Sequence, residues 1–135
     1  MDPRYLLDTN ICIYIRRNNP PEVLRRFQSL RPGEAVLSVI TFGELLYGAV
    51  KSSQRAATLE YLAELSRLLP VLPLPAAAAD SYGTIRAELE RKGQMIGNND
   101  LWLAAHATTA DLILVTNNQR EFRRVRGLKI QNWAS

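Results

Sequence analysis

Apolar positions in this chain fall into short runs separated by longer stretches with helical spacing, and that alternation organises the sequence. Tyr5 to Leu7 is an apolar run that stops at Asp8-Thr9-Asn10, the pattern of a strand handing over to a helix that starts near Thr9 and runs toward Arg17. Pro20-Pro21 opens a second helix, Glu22 to Leu30. Arg31-Pro32-Gly33 then turns the chain into a second apolar run, Ala35 to Val39, followed by a helical stretch through Gly48. Leu59, Leu62, Leu65 and Leu69 keep close to helical spacing while Glu60, Glu64 and Arg67 take other faces, so Gln54 to Leu69 reads as an amphipathic helix. Val71 to Leu74 is a third strand, which Pro73 assigns to a sheet edge or strand end because proline cannot donate to a ladder. Pro75 suits the start of a long helix, Ala76 to about Lys92, closed by Gly93. Asn98 or Asn99 caps another helix through Thr109, Leu112 to Thr116 is a fourth strand, and Lys129 to Trp133 is a candidate fifth.

Strands alternating with helices predict an α/β fold whose parallel sheet is covered on both faces. In such sheets ligands bind at the carboxyl ends of the strands, where the helices begin. There is no internal repeat and no Gly/Ser linker, so residues 1–135 read as a single domain.

Composition narrows the chemistry. A chain that is 47% hydrophobic and 22% charged is not disordered. The formal charge of +4 is unevenly placed: acids and bases balance through Asp111, and Arg120, Arg123, Arg124, Arg126 and Lys129 then face Glu121 alone. One cysteine, Cys12, excludes an intrachain disulfide and a zinc site of several thiolates, and fits the cytoplasm; it reads as a buried apolar filler. No stretch approaches the roughly 18 apolar residues of a membrane span, and Asp8 stands where a signal peptide needs its apolar region, so neither membrane insertion nor export is expected. His106 is the only histidine, which excludes cleavage by paired imidazole acid and base. It reads as packed or capped, and Trp102, in an apolar helix, as core rather than a base-stacking platform. Any cleavage chemistry must use carboxylates or a metal.

Asp8 follows the first strand, Glu44 lies just past the second, Asp100 opens the helix after Gly97-Asn98-Asn99, and Thr116-Asn117-Asn118 follows the fourth strand. Each has an ordinary explanation. Asp8 or Thr9 can be a helix cap, Thr41-Phe42-Gly43-Glu44 matches a capping box, and Asp100 in a first turn complements the helix dipole. Together, however, three carboxylates on one rim repel each other unless a cation or protons neutralise them. Oxygen donors without histidine or thiolate select Mg²⁺ or Mn²⁺ over zinc, and Mg²⁺ keeps waters and meets substrate phosphate.

LLDTN at Leu6 to Asn10, TFGELLYG at Thr41 to Gly48, IGNNDLWLAAHA at Ile96 to Ala107 and VTNNQREF at Val115 to Phe122 resemble, in order, the motifs of PIN-domain ribonucleases, and among them the VapC toxins of bacterial toxin-antitoxin modules. The resemblance covers essentially the whole chain, ending with GLKIQNW at Gly127 to Trp133. It implies a PIN-like α/β/α sandwich with a central, mostly parallel sheet, and Mg²⁺- or Mn²⁺-dependent endoribonuclease activity that inhibits translation. Leu45, Leu46 and Tyr47, near the apolar stripe of Leu59, Leu62 and Leu65, read either as core or as more apolar surface than one small domain buries. The resemblance favours a homodimer, a VapB-type antitoxin whose tail wraps the groove, and a hetero-oligomer on operator DNA. The family's acidic ligands fall on Asp8, Glu44 and Asp100. Many PIN domains place a further aspartate where this chain has Asn118, a departure that weakens the case for a second metal; Thr116 or Asn118 can orient an acid or hold a metal's water, and Glu121 can replace the missing charge.

With a metal on Asp8 and Asp100, hydroxide attack on phosphorus with Glu44 positioning the water or taking its proton gives 5′-phosphate and 3′-hydroxyl ends. That attack does not use the ribose 2′-hydroxyl, so the choice of RNA rests on the resemblance, which favours a tRNA anticodon loop over ribosomal RNA. Arg120, Arg123, Arg124 and Arg126 are candidate phosphate contacts. Two rivals remain: a phosphoacceptor receiver domain, which wants paired acids after the first strand, and a noncatalytic module of the same fold.

Overall fold

The structure, a computed structural model, describes residues 2–135. Its elements run β1 (Tyr5–Leu7), α1 (Thr9–Arg17), α2 (Pro21–Gln28), β2 (Ala35–Ser38), α3 (Val39–Val50), α4 (Arg55–Leu68), β3 (Val71–Leu72), α5 (Ala78–Arg91), α6 (Asn98–Ala110), β4 (Ile113–Val115), α7 (Gln119–Phe122) and β5 (Ile130–Gln131). The strands form one sheet in the order β3-β2-β1-β4-β5, and every pairing is parallel. Pro73 follows a strand that lies at the edge, as its missing N–H requires.

β1 sits at the centre with all three residues buried, and its alternation divides the core. Tyr5 and Leu7 join Ile11, Cys12, Ile15, Leu37, Leu62, Leu65 and Trp133 on one face; Leu6 joins Val36, Leu89, Leu101, Ala104, Leu114 and Phe122 on the other. Helices α1 to α4 cover the first face and α5 to α7 the second, so the sandwich has three layers. Gly93, at φ 66°, ends α5 in the left-handed conformation that glycine adopts freely, and the Gln94 N–H then closes on the Leu89 carbonyl at 2.9 Å.

Several boundaries differ from the sequence reading, each for a local reason. β2 ends at Ser38, not Val39, because the Ser38 hydroxyl accepts the Ile40 N–H at 3.1 Å and starts α3 there. Thr41-Phe42-Gly43-Glu44 is therefore no capping box, and Glu44 lies in the second turn of α3. Helix α5 begins at Ala78, since Pro75 to Ala77 form a separate turn whose carbonyls take the N–H groups of Ala78, Ala79 and Asp80. Gly97, not Asn98 or Asn99, is the N-cap of α6, and no side chain caps that helix. The short α7 was not expected from the sequence.

Candidate active site

Where β1 hands over to α1, Asp8 is only 7% exposed. Its backbone N–H donates to the Val115 carbonyl of β4 at 3.0 Å, so the sheet itself places the side chain. One carboxylate oxygen, Oδ1, accepts the Ile11 N–H at 3.1 Å as the cap of α1, and Oδ2 accepts the Thr116 hydroxyl. Thr116, fully buried, is held in turn by the Asn118 N–H, which donates to its Oγ1 at 2.8 Å. The cap and the candidate ligand are thus one residue: accepting the Ile11 N–H uses one lone pair of the carboxylate and leaves others free to meet a cation.

Glu44 reaches the same place from α3, exposed, with its Oε1 accepting the Thr9 hydroxyl at 2.9 Å. Asp100 enters from the first turn of α6, half-buried. These three acids, with Thr9, Asn10, Leu103, Asn118 and Phe122, line one hollow of about 210 Å³. Larger cavities lie elsewhere, notably a pair of 310 and 450 Å³ that share Arg16, Tyr61 and Leu65 on the α1 and α4 face.

Electrostatics separate these acids from the rest. Burial pushes the Asp8 carboxyl above its ordinary value against the pull of its hydrogen bonds to Thr116 and Ile11, and the Glu44 charge adds to the rise. Asp100 is pushed up to about 6 by desolvation, then by the charges of Glu44, Glu121 and Asp8. Among the described residues, no ion pair involves Asp8, Glu44 or Asp100. This is a site of uncompensated negative charge, and the helix dipoles at the starts of α1 and α6 are its internal relief.

Do these residues fit a divalent cation? Among the described residues, no three His, Cys, Asp or Glu side chains close into a ready-made metal cage. The set is open, with all donors oxygen and room left in the hollow. That suits Mg²⁺ or Mn²⁺, which take one or two carboxylates and keep several waters, and it does not suit zinc.

The remaining sequence candidates sort by position. Thr116 orients Asp8, Asn118 lines the hollow, and Glu121 adds to the negative field around Asp100 without lining it. None of the four arginines lines the hollow. Arg124 donates to the Met95 carbonyl at 2.9 Å and, with Arg126, lines a cavity of about 330 Å³ bounded by Asp80, Thr84 and Glu88 of α5; Arg120 and Arg123 stay exposed on or beside α7. Arg124 and Arg126 thus line the α5 side of the molecule and not the hollow. His106 is buried, with Nδ1 2.9 Å from the Ser38 hydroxyl, and desolvation lowers its pKa. Cys12 is buried in the core as expected. Trp102 is a correction: it belongs to neither core and stacks on Tyr82 of α5. Sequence reasoning also saw Thr9 only as a possible cap and missed that its hydroxyl fixes Glu44; their motifs lie too far apart in the chain to signal the contact.

Comparison with known proteins agrees with this geometry. The PIN domain family matches residues 5–128. A tRNA(fMet)-specific endonuclease VapC of Shigella flexneri is 44% identical over 131 residues, 97% of this chain and 98% of the relative. Ribonuclease VapC2 of Haemophilus influenzae is 42% identical over 96% of this chain and 98% of its own. Among solved structures, DNA-bound VapBC from Salmonella typhimurium superposes with a TM-score of 0.90 at 40% identity, covering 97% of this chain and 98% of that one. VapBC2 from Rickettsia felis, bound to a DNA fragment from its promoter, gives 0.89 at 37% identity over 96% and 98%. The family match, the shared fold and the near-full-length identity agree: the chain belongs to the VapC branch of the PIN domain family.

Proposed function

We propose that this protein is the toxin of a toxin-antitoxin pair: a divalent-metal-dependent endoribonuclease that cuts structured RNA in the cytoplasm, with a tRNA anticodon loop the favoured target, and so inhibits translation. The observation that carries this reading is the convergence of Asp8, Glu44 and Asp100 on one hollow, with no ion pair to any of them among the described residues. The endonuclease named for tRNA(fMet) in Shigella flexneri supports the choice of RNA class.

Asp8 and Asp100 would hold Mg²⁺ or Mn²⁺. Such an ion, when bound, polarises a phosphodiester and lowers the pKa of water. The chain's own residues do the rest. Thr116 and the Ile11 N–H hold the Asp8 carboxylate in one orientation, which limits the reorganisation needed when substrate arrives. Glu44, anchored by Thr9 yet exposed, accepts the proton of the attacking water. Asn118 presents a neutral amide where a further acid would add repulsion, and can donate to a phosphate oxygen. Attack by water at phosphorus breaks the bond to the 3′ oxygen and leaves 5′-phosphate and 3′-hydroxyl ends.

Partner surfaces follow from the same fold. The paired apolar cavities between α1, α2 and α4 include Ile15, Leu24, Phe27 and Leu68, and they run to Thr9 and Glu44 at the rim. An antitoxin segment lying there would reach the acids and block them, which suits the VapBC complexes that this fold superposes on. On α3, exposed Val39, Tyr47 and Val50 share one face and suit a second copy of the chain, while Leu45 and Leu46 pack against the core.

The test is cleavage of total tRNA with Mg²⁺, with EDTA, and by Asp8→Asn. Cutting by the wild type alone, restored by Mg²⁺ or Mn²⁺ after chelation, is the expected result. Equal cutting in EDTA or by Asp8→Asn would refute the metal mechanism, and no cutting of any RNA would favour a noncatalytic module.

A further inference from the structure

Leu101 and Leu103 enter or adjoin the core below α6, but Trp102 between them belongs to neither apolar cluster. It is half-buried and lies nearly parallel to Tyr82 of α5, with ring centroids 3.9 Å apart and planes 17° from one another. The Tyr82 hydroxyl donates to Asn98 Oδ1 at 2.6 Å and accepts from Arg86 Nη1 at 2.8 Å. Arg86 Nε in turn donates to Glu90 at 3.2 Å. Asn98 and Trp102 stand one turn apart on α6, and Tyr82 and Arg86 one turn apart on α5, so four side chains form a single ledge held at its edges by hydrogen bonds. Asp100 falls between Asn98 and Trp102 in sequence but on the opposite flank of α6. The ledge therefore lies about one helix diameter, ~10 Å, from the acidic hollow.

Joining α5 to α6 does not need Trp102, since both helices already bury apolar side chains against the sheet, with Tyr82 packed against that core. A parallel pair of rings with a guanidinium at its margin is suited to extending the stack by one more planar, electron-rich group. Unpaired nucleobases have that shape, and aromatic and guanidinium planes are how proteins hold them in RNA loops. The cation and the amide at the margin suit the polar edge of a base.

Building on the nuclease reading above, we propose that Tyr82 and Trp102 form a base-stacking platform that holds an unpaired nucleobase one or two nucleotides from the scissile phosphate, with Arg86 and Asn98 at its edge. These are positioning residues: they set which loop sits over the acids and leave the chemical step to Asp8, Glu44 and Asp100.

Because Trp133 is the only other tryptophan and is buried, Trp133→Phe leaves Trp102 as the single tryptophan reporter, read with excitation that spares tyrosine. In EDTA, a short single-stranded RNA should quench Trp102, and an RNA of equal length carrying abasic sites should not. In cleavage assays Trp102→Leu should raise KM for loop RNA by about 5- to 100-fold with kcat nearly unchanged, and Trp102→Phe should recover most of the loss. Quenching equally strong with the abasic RNA, an unchanged KM in Trp102→Leu, or a KM defect that tracks a fall in melting temperature in both variants would overturn the platform. A Trp102 signal that follows protein concentration and ignores RNA would instead identify an interface between copies of the chain, and would overturn it equally. Wild-type protein that cuts no RNA would sink the nuclease reading, whereas normal cutting with a silent Trp102 would sink only the platform.

Discussion

Asp100 and Asp111 stand at the two ends of α6 and have opposite electrostatic fates. The helix dipole alone would favour a charged Asp100 at the N-terminal end and disfavour a charged Asp111 at the C-terminal end. The reverse is found: Asp100 is pushed up to about 6, while Asp111 is held below its ordinary value by Lys129, whose Nζ lies 2.8 Å away. Glu88, paired with Lys92, follows Asp111, and Glu34 is lowered first by the Arg31 backbone N–H and then by Arg4. Neighbouring charge and burial outweigh the dipole at both ends. At the rim the chain has gathered like charges, buried them in part, and, among the described residues, paired them with no cation. Everywhere else its perturbed surface acids are neutralised. A cation or a bound partner must supply what the hollow lacks.

The largest expected effect comes from removing that charge. Asp8→Asn keeps the size and the capping oxygen, so the fold should survive while RNA cleavage falls on the order of 10³-fold or more; circular dichroism with a tRNA cleavage assay checks both. Retained cleavage would erase the distinction between the two groups of acids. Thr116→Val should come next, weakening metal-stimulated activity by about 10- to 100-fold through the loss of its hold on Asp8, read as a shift in the Mg²⁺ concentration needed for half-maximal rate.

Stability should move in the opposite sense. An unfolded Asp100 titrates near 3.8 and the folded one near 6, so its contribution to metal-free stability is greatest below pH ~4 and is lost as pH rises through about 6. Asp100→Asn should therefore stabilise metal-free protein at pH 7.5 by about 1 kcal/mol once solvent screening of this half-exposed group is allowed for, read as a raised melting temperature, and Mg²⁺ should close the gap. No change, or a fall, would mean that the hollow is not strained by its own charge. The smallest effect belongs to the far end of α6. Lys129→Ala breaks an exposed pair and should leave both cleavage and melting temperature nearly unchanged, because such pairs contribute little.

How legible this was in the sequence varies by residue. The three acids could be placed on one rim because each follows a strand or opens a helix, and a parallel sheet brings those points together. Tyr5 to Leu7 and the helix after it could be read for the same reason: a fully apolar run stops abruptly at a capping residue. The start of α3 could not, because Ser38-Val39-Ile40-Thr41 is apolar across the boundary and offers two capping serine or threonine residues, of which the strand end selects Ser38. That none of the four arginines lines the hollow could not be read either, because the direction of the chain after β4 depends on α7, a four-residue helix too short to leave a periodic signal. Trp102 was read as core because its neighbours Leu101 and Leu103 are; whether a residue between two buried ones faces solvent depends on how closely α5 packs, which periodicity does not encode.

The most direct test of the central claim is Mn²⁺ binding by calorimetry at pH 7.5 to the wild type, Asp8→Asn, Asp100→Asn and Lys129→Ala. Binding that is present in the wild type and Lys129→Ala and lost in both aspartate variants is the predicted result. Binding that survives in either aspartate variant, or that is absent from a folded wild type at millimolar Mn²⁺, would contradict the assignment of the hollow as a metal centre.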